Sequence, residues 1–272
     1  MEDLDKLKKI ETELLKQFIQ VCDKLNLRYY IMYGTLIGAI RHKGFIPWDD
    51  DIDVGMPRED YELFVKKAQS LLPENVFVQT IDTEPNHPFA FCKLRDNNTA
   101  FIEDILQKHK INHGVWVDVF PLDNYPEDPK VYKKVHKKRK FYKRVIESKY
   151  CICAKSLTVR LKKLLKKLTF CLFSAKKAVK RLDELFKAQP KSHHYVNHSA
   201  SWGPKEALPV EWFGNGVLVD FEGLKVNAPE KYHELLTKAY GDYMTPPPED
   251  KRGSFHNVIL VDTEKSWREY FK

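Results

Sequence analysis

The stretch Tyr33-Gly-Thr-Leu-Ile-Gly-Ala-Ile-Arg-His-Lys-Gly-Phe-Ile-Pro-Trp-Asp-Asp-Asp-Ile-Asp-Val-Gly55 holds the densest chemistry in the chain. Gly34-Thr35 reads as a strand-to-helix turn, Leu36 to Ile40 as a short helix, and Arg41 to Trp48 as a loop. Asp51-Ile-Asp-Val54 then reads as a strand stopped by Gly55. Side chains two apart on a strand share a face. Asp51 and Asp53 therefore converge, while Ile52 and Val54 turn to the core. Two ionised carboxylates that close repel unless a cation lies between them. Oxygen ligands in an open cleft suit Mg²⁺ or Mn²⁺. Taken alone, the same residues also read as a solvated acidic turn.

The flanks place this stretch in a mixed α/β fold. Upstream, Leu4, Leu7, Ile10, Leu14, Phe18, Val21 and Leu25 recur every three or four residues, an amphipathic helix ending near Asn26. Tyr29 to Met32 is a short buried strand. Downstream, Pro57 opens a helix, and Val76 to Ile81, Phe89 to Arg95 and Gly114 to Phe120 read as strands, the last closed by Pro121. On that last strand Asp118 alternates with Val117 and Val119. An unpaired carboxylate there is costly, and a metal or a basic partner removes the cost. Lys93 and Arg95 share one strand face, so both are candidates to reach one anion. Asp49 shares the face of Asp51 if the chain there is extended, with Pro47-Trp48 able to turn it away. Val217 to Phe221 and Leu224 to Val226 form a hairpin around Glu222-Gly223. Pro229 to Tyr240 is a helix ended by Gly241.

The chain has 272 residues and a formal charge of +8. From Lys130 to Pro190 there are 21 basic and 3 acidic side chains, a net +18, so the remainder carries −10. An acidic body argues against a general nucleic-acid binder. Within the basic segment, Leu157, Leu161, Leu164, Leu168, Leu172, Ala175, Val179, Leu182 and Phe186 hold helical spacing, bordered by lysines. A basic amphipathic helix over 156–188 has two readings: a peripheral contact with an anionic membrane, or an ordinary helix packed on the domain. Five cysteines without framework spacing and no signal-peptide pattern point to reduced thiols and a cytoplasmic setting, peripheral to the inner face of the membrane if the helix binds there.

The motif from Tyr33 to Gly55, with Gly34-Thr35, Asp51-x-Asp53 and a third Asp at 118, resembles the signature of the LicD family, and more distantly the nucleotidyltransferase superfamily. The match is sharpest over 29–65 and looser through Lys93-Leu-Arg-Asp96, Gly114 to Leu122 and Tyr240-Gly-Asp-Tyr-Met244; residues 130–200 are not matched. The resemblance implies a nucleotidyltransferase-like core over 1–128; charge and helical spacing mark a basic helical segment over 129–200, and a C-terminal α/β part over 201–272 is expected to pack back on the core. It implies a transferase moving a phospho-alcohol, phosphocholine first among them, from a CDP-alcohol to a hydroxyl of a cell-surface glycan or its lipid-linked precursor, with CMP leaving. Asp51, Asp53 and Asp118 are then the catalytic and metal residues. Gly34, Thr35, Arg41, His42, Lys43, Asp49, Lys93, Arg95, Arg252 and His256 are the candidate substrate contacts. Rival readings are transfer of NMP itself, a metal-dependent glycosyltransferase using the same Asp-x-Asp, and a non-catalytic membrane or nucleic-acid adaptor. No RNA-reading motif is present.

Overall fold

A computed structural model describes residues 2–150, 164–199, 206–253 and 256–271. Helix α1 (Glu2–Leu25) buries Leu7, Leu14, Leu15, Phe18, Val21 and Cys22 in the main core. One position of that apolar face is Glu11, which is 1% exposed. The chain continues through β1 (Tyr30–Ile31), α2 (Tyr33–His42), β2 (Asp53–Pro57), α3 (Arg58–Lys67), β3 (Val76–Gln79), β4 (Cys92–Asp96), β5 (Ala100–Glu103) and β6 (Trp116–Asn124). The main sheet runs β1-β2-β6-β4-β3. Only the β2–β6 pair within that order is parallel; the others are antiparallel. This is the mixed sheet flanked by helices that the sequence implies.

Two expected strand ends are overrun. Gly55 does not stop β2. It lies mid-strand, paired with Tyr30 and Phe120, where a Cβ would meet side-chain atoms of Met32 and Leu122 at 3.0 and 3.1 Å. Pro121 does not close β6 either. The β4 pairing ends at Val119, so Pro121 sits where that side of the strand no longer needs a ladder donor. The end of β6 instead pairs with β7 (His194–Val196), which pairs with β8 (Leu208–Pro209).

Helix α4 (Pro129–Lys149) starts at an Asp128 cap whose carboxylate accepts from the Lys130 and Val131 amides. The lysine-bordered apolar stripe is not one helix across its described part. Residues 164–169 are helical, 170–173 turn, and Ser174 caps a new helix, α5 (Ala175–Lys187). The Ser174 hydroxyl accepts from the Lys177 amide, so the backbone restarts rather than continues. Leu157 and Leu161 of the stripe, like Lys162, Lys163, Cys151, Cys153 and Trp202, lie outside the described residues. Ala178, Val179, Leu182 and Phe186 of α5 form a second core with Val145 and Ile146 of α4. Arg58 fastens this layer to the sheet, with two bonds to Asp123 (2.7 and 2.8 Å) and one to Asp183 (2.9 Å).

The hairpin β9 (Val217–Phe221) and β10 (Leu224–Ala228) turns through Glu222 and Gly223, both at positive φ. It is followed by α6 (Tyr232–Tyr240) and by β11 (Val258–Asp262). β11 pairs with β5 and brings the C-terminal part back to the body.

Candidate active site

Sheet register builds the centre of the site. Asp53 on β2 lies abreast of Asp118 on β6, which lies abreast of Lys93 on β4. Three adjacent strands thus project acid, acid and base in one row. Ile52 and Val54 are fully buried on the opposite side, so Asp51 and Asp53 face the same way. Ligand oxygens of Asp51, Asp53 and Asp118 lie within 4.8 Å of one another, as do those of Asp49, Asp50 and Asp51. Burial first, and then the neighbouring carboxylates, raise Asp53 well above the usual carboxylate range and Asp51 to about 7. Such a group is short of positive charge, and its all-oxygen donor set fits a hard divalent cation.

The protein's own cations meet only part of this charge. Lys93 Nζ lies 2.8 Å from Asp118 Oδ1 and 3.1 Å from Oδ2, with both side chains buried. It also sits 4.0 Å from the Trp116 ring centre. This is the basic partner that a mid-strand Asp118 called for. His256 Nδ1 donates to Asp50 Oδ1 (3.2 Å), and Nε2 lies 3.9 Å from Asp51 Oδ2. Burial alone would lower the His256 pKa, but the Asp50 hydrogen bond and the Asp51 charge outweigh it and raise it to about 9.

Asp49 is turned into the site. The Asp49 amide donates to Ile46 O (2.9 Å), closing a turn with Pro47 in its second place. The carboxylate then lies against Gly34, where a Cβ would stand 2.5 Å from Asp49 Oδ2. Burial, and then the Asp50 charge, raise Asp49 to about 6. Beneath the cluster, Glu11 is raised well above its ordinary value by burial and by Asp51, Asp50 and Asp49.

These residues open onto a cavity of about 820 Å³. Gly34, Arg41, Asp49, Asp51, Asp53, Lys93, Asp118 and His256 all line it. Others of the sequence-derived set are placed elsewhere. Thr35 is buried, and its hydroxyl accepts from the Asp53 amide (2.9 Å), fixing α2 to the acid strand rather than facing a ligand. Arg95 shares the Lys93 face but is covered: it donates to Gln79 Oε1 (2.8 Å) and Gly114 O (2.7 Å) and stacks on Trp116. His42 is exposed and held by Arg41, and Lys43 is the left-handed C-cap of α2. Arg252 donates to Pro247 O and lies over Trp48 at the rim.

Residues 26–152 match the family model described as LicD/FKTN/FKRP, nucleotidyltransferase domain. The lipopolysaccharide cholinephosphotransferase LicD of Haemophilus influenzae is 35% identical over 251 residues, covering 89% of this chain and 92% of that protein. The chain belongs to the LicD family. The human ribitol 5-phosphate transferase FKRP is 36% identical over 70 residues, 24% of this chain and 14% of that protein. An uncharacterized protein of Rickettsia prowazekii is 36% identical over 118 residues, 42% of this chain and 40% of that protein.

The matched LicD domain contains the acid row and Lys93, but the far wall of the cavity comes from beyond it. Glu206 and Tyr240 lie there, with Asn197, Ser199 and Tyr243. Tyr33 donates to Glu206 Oε2 (3.1 Å). Burial raises Glu206 to about 7, against the pull of that hydroxyl and of Arg139. The Tyr33, Phe120, Phe91 and Phe89 rings run in sequence along one side, with centroids 6.1, 4.5 and 5.0 Å apart. Tyr33 opens the motif quoted from the sequence, but nothing there marks Phe89, Phe91, Phe120 or Glu206 as its companions. Glu11 was detectable as a charge inside the apolar face of α1.

Proposed function

We propose that this LicD-family phosphotransferase moves a phospho-alcohol, phosphocholine above all, from a CDP-alcohol to a hydroxyl of a cell-surface glycan or its lipid-linked precursor, releasing CMP. One observation carries the reading. A single cavity joins a cation-deficient carboxylate cluster to an aromatic wall that ends at a carboxylate, Glu206. The cluster suits a diphosphate held through divalent metal. The wall suits a quaternary ammonium, which is attracted to ring faces and to negative charge.

Asp51, Asp53 and Asp118 would hold Mg²⁺ or Mn²⁺, which when bound neutralises diphosphate charge and stabilises the leaving phosphate. Lys93 holds the Asp118 carboxylate in place through their ion pair. Arg41, whose guanidinium is oriented by its bond to Tyr243 O (2.8 Å), and Lys251 place positive charge on the cavity wall for phosphate oxygens. The acceptor oxygen forms a bond to the phosphorus next to the alcohol, and the bond from that phosphorus to the CMP oxygen breaks. Asp49, with a pKa near 6, is suited to take the hydroxyl proton.

The test is CMP release from CDP-choline with Mg²⁺. Asp51→Asn and Asp53→Asn should each abolish it while leaving the circular dichroism spectrum unchanged; near-normal turnover in both sinks the metal assignment. Glu206→Gln should raise KM for CDP-choline about tenfold and leave CDP-ribitol or CDP-glycerol unaffected. Pyrophosphate release from CTP in place of CMP release from CDP-choline would instead indicate NMP transfer.

A further inference from the structure

The break in the basic stripe divides its apolar residues into two fates. Those of α5 are buried against α4. Among the described residues before the break, Leu164, Leu165, Leu168 and Leu172 are 54, 56, 61 and 94% exposed, and Phe173 is 45% exposed. Phe141 of α4 joins them, with its ring 5.4 Å from that of Phe173. Leu164, Leu165 and Leu168 lie on one helix and Leu172 and Phe173 follow within five residues, a cluster of apolar side chains that soluble surfaces rarely leave uncovered.

Its surroundings are basic. Lys137, Lys140 and Arg144 of α4 flank Phe141 within a turn, and all three are exposed. Lys167, Lys176 and Lys177 flank the leucines and are exposed as well. None of these six has a carboxylate within ion-pair distance among the described residues, whereas nearby Lys166 is paired with Glu147. A second copy of the chain is disfavoured as the occupant, because a two-fold contact would set one basic face against another. Apolar side chains ringed by unpaired cations match one surface, the headgroup layer of a bilayer rich in anionic lipid.

We propose that this face, built from residues 164–173 and the Phe141 region of α4, seats the enzyme on an anionic lipid bilayer. Leu168, Leu172 and Phe173 enter the headgroup layer, and the flanking lysines and arginine meet lipid phosphates. The same helix reaches the cavity rim: Arg139 and Lys143 donate to the carbonyls of His198 and Ser199, and Ser199 lines the cavity. Seating α4 on the bilayer therefore sets the active site close to membrane-borne acceptors.

The experiment is flotation of the full chain with vesicles of phosphatidylglycerol and phosphatidylcholine, or of phosphatidylcholine alone. The wild type should float with the mixed vesicles only, and less so at high salt. Leu168→Glu/Leu172→Glu should reduce bound protein at least about tenfold. So should Lys176→Glu/Lys177→Glu, since each charge near such a surface changes binding about fivefold. Both variants should keep the wild-type melting temperature and CMP release in solution. The proposal is overturned if the wild type does not float, if both variants float like the wild type, or if sedimentation shows a dimer lost in the leucine variant without vesicle binding. Capture by an acidic protein with no vesicle binding overturns it too.

Discussion

Gly34→Ala is a small change with a large expected effect. Gly34 lies in the first turn of α2, where its φ is not positive, so alanine suits the backbone and helix propensity favours it by up to about 1 kcal/mol. The new methyl would stand 2.5 Å from Asp49 Oδ2, against the 3.4 Å at which ordinary contact begins. The Asp49 carboxylate must therefore retreat by roughly 0.9 Å, and as the end of a side chain it can do so cheaply. A shift of about 1 Å in a reacting or positioning group costs on the order of 100-fold in rate. The expected outcome is a urea unfolding free energy within about 1 kcal/mol of wild type, since propensity and contact terms oppose. Turnover of CDP-choline at saturating Mg²⁺ should fall about 100-fold. Wild-type turnover would refute the role given to Asp49. A loss of several kcal/mol of stability would refute the claim that only the flexible carboxylate gives way.

Two further outcomes test the surroundings of the site. Lys93→Met leaves Asp118 buried without its partner and should cost about 3–5 kcal/mol in urea unfolding, with most of the loss recovered in Lys93→Met/Asp118→Asn; equal instability of the double variant would show that the pair is not the cause. Burial holds the His87 pKa at about 3, so its contribution to stability is complete above the unfolded value near 6.5 and is lost as pH falls below it. The His87→Gln variant should therefore lose about 2 kcal/mol less stability than wild type between pH 7 and pH 5, measured by urea unfolding at both; identical losses would contradict a neutral buried imidazole.

Asp51, Asp53 and Asp118 were legible because the two-residue period of a strand is local, and their neighbours Ile52, Val54, Val117 and Val119 declare which face is dry. The shared face of Lys93 and Arg95 was legible for the same reason. Their different outcomes were not. Lys93 is abreast of Asp118 and meets the cavity, whereas Arg95 is abreast of Trp116 and is covered by it, by Gln79 and by Gly114. Thr35 looked like a phosphate ligand because a hydroxyl at a helix start commonly is one. Here the Asp53 amide takes that oxygen. Likewise, helical spacing from Leu157 to Phe186 cannot disclose that Ser174 restarts the backbone, because a cap leaves the apolar period nearly intact.

The sequence by itself therefore determined the acid motif and the mixed α/β class, through local strand and helix periodicity, and the family, through the residues of the motif from Tyr33 to Gly55. Tertiary structure alone decided which cation faces Asp118, that Asp49 folds back on Gly34, that Glu206 closes the cavity from about 170 residues downstream of Tyr33, and which of the described residues of the basic stripe are left uncovered. Each of these depends on strand register or on packing between elements far apart in the chain. Such pairings are set by the fit of the whole core, and no single segment carries that information.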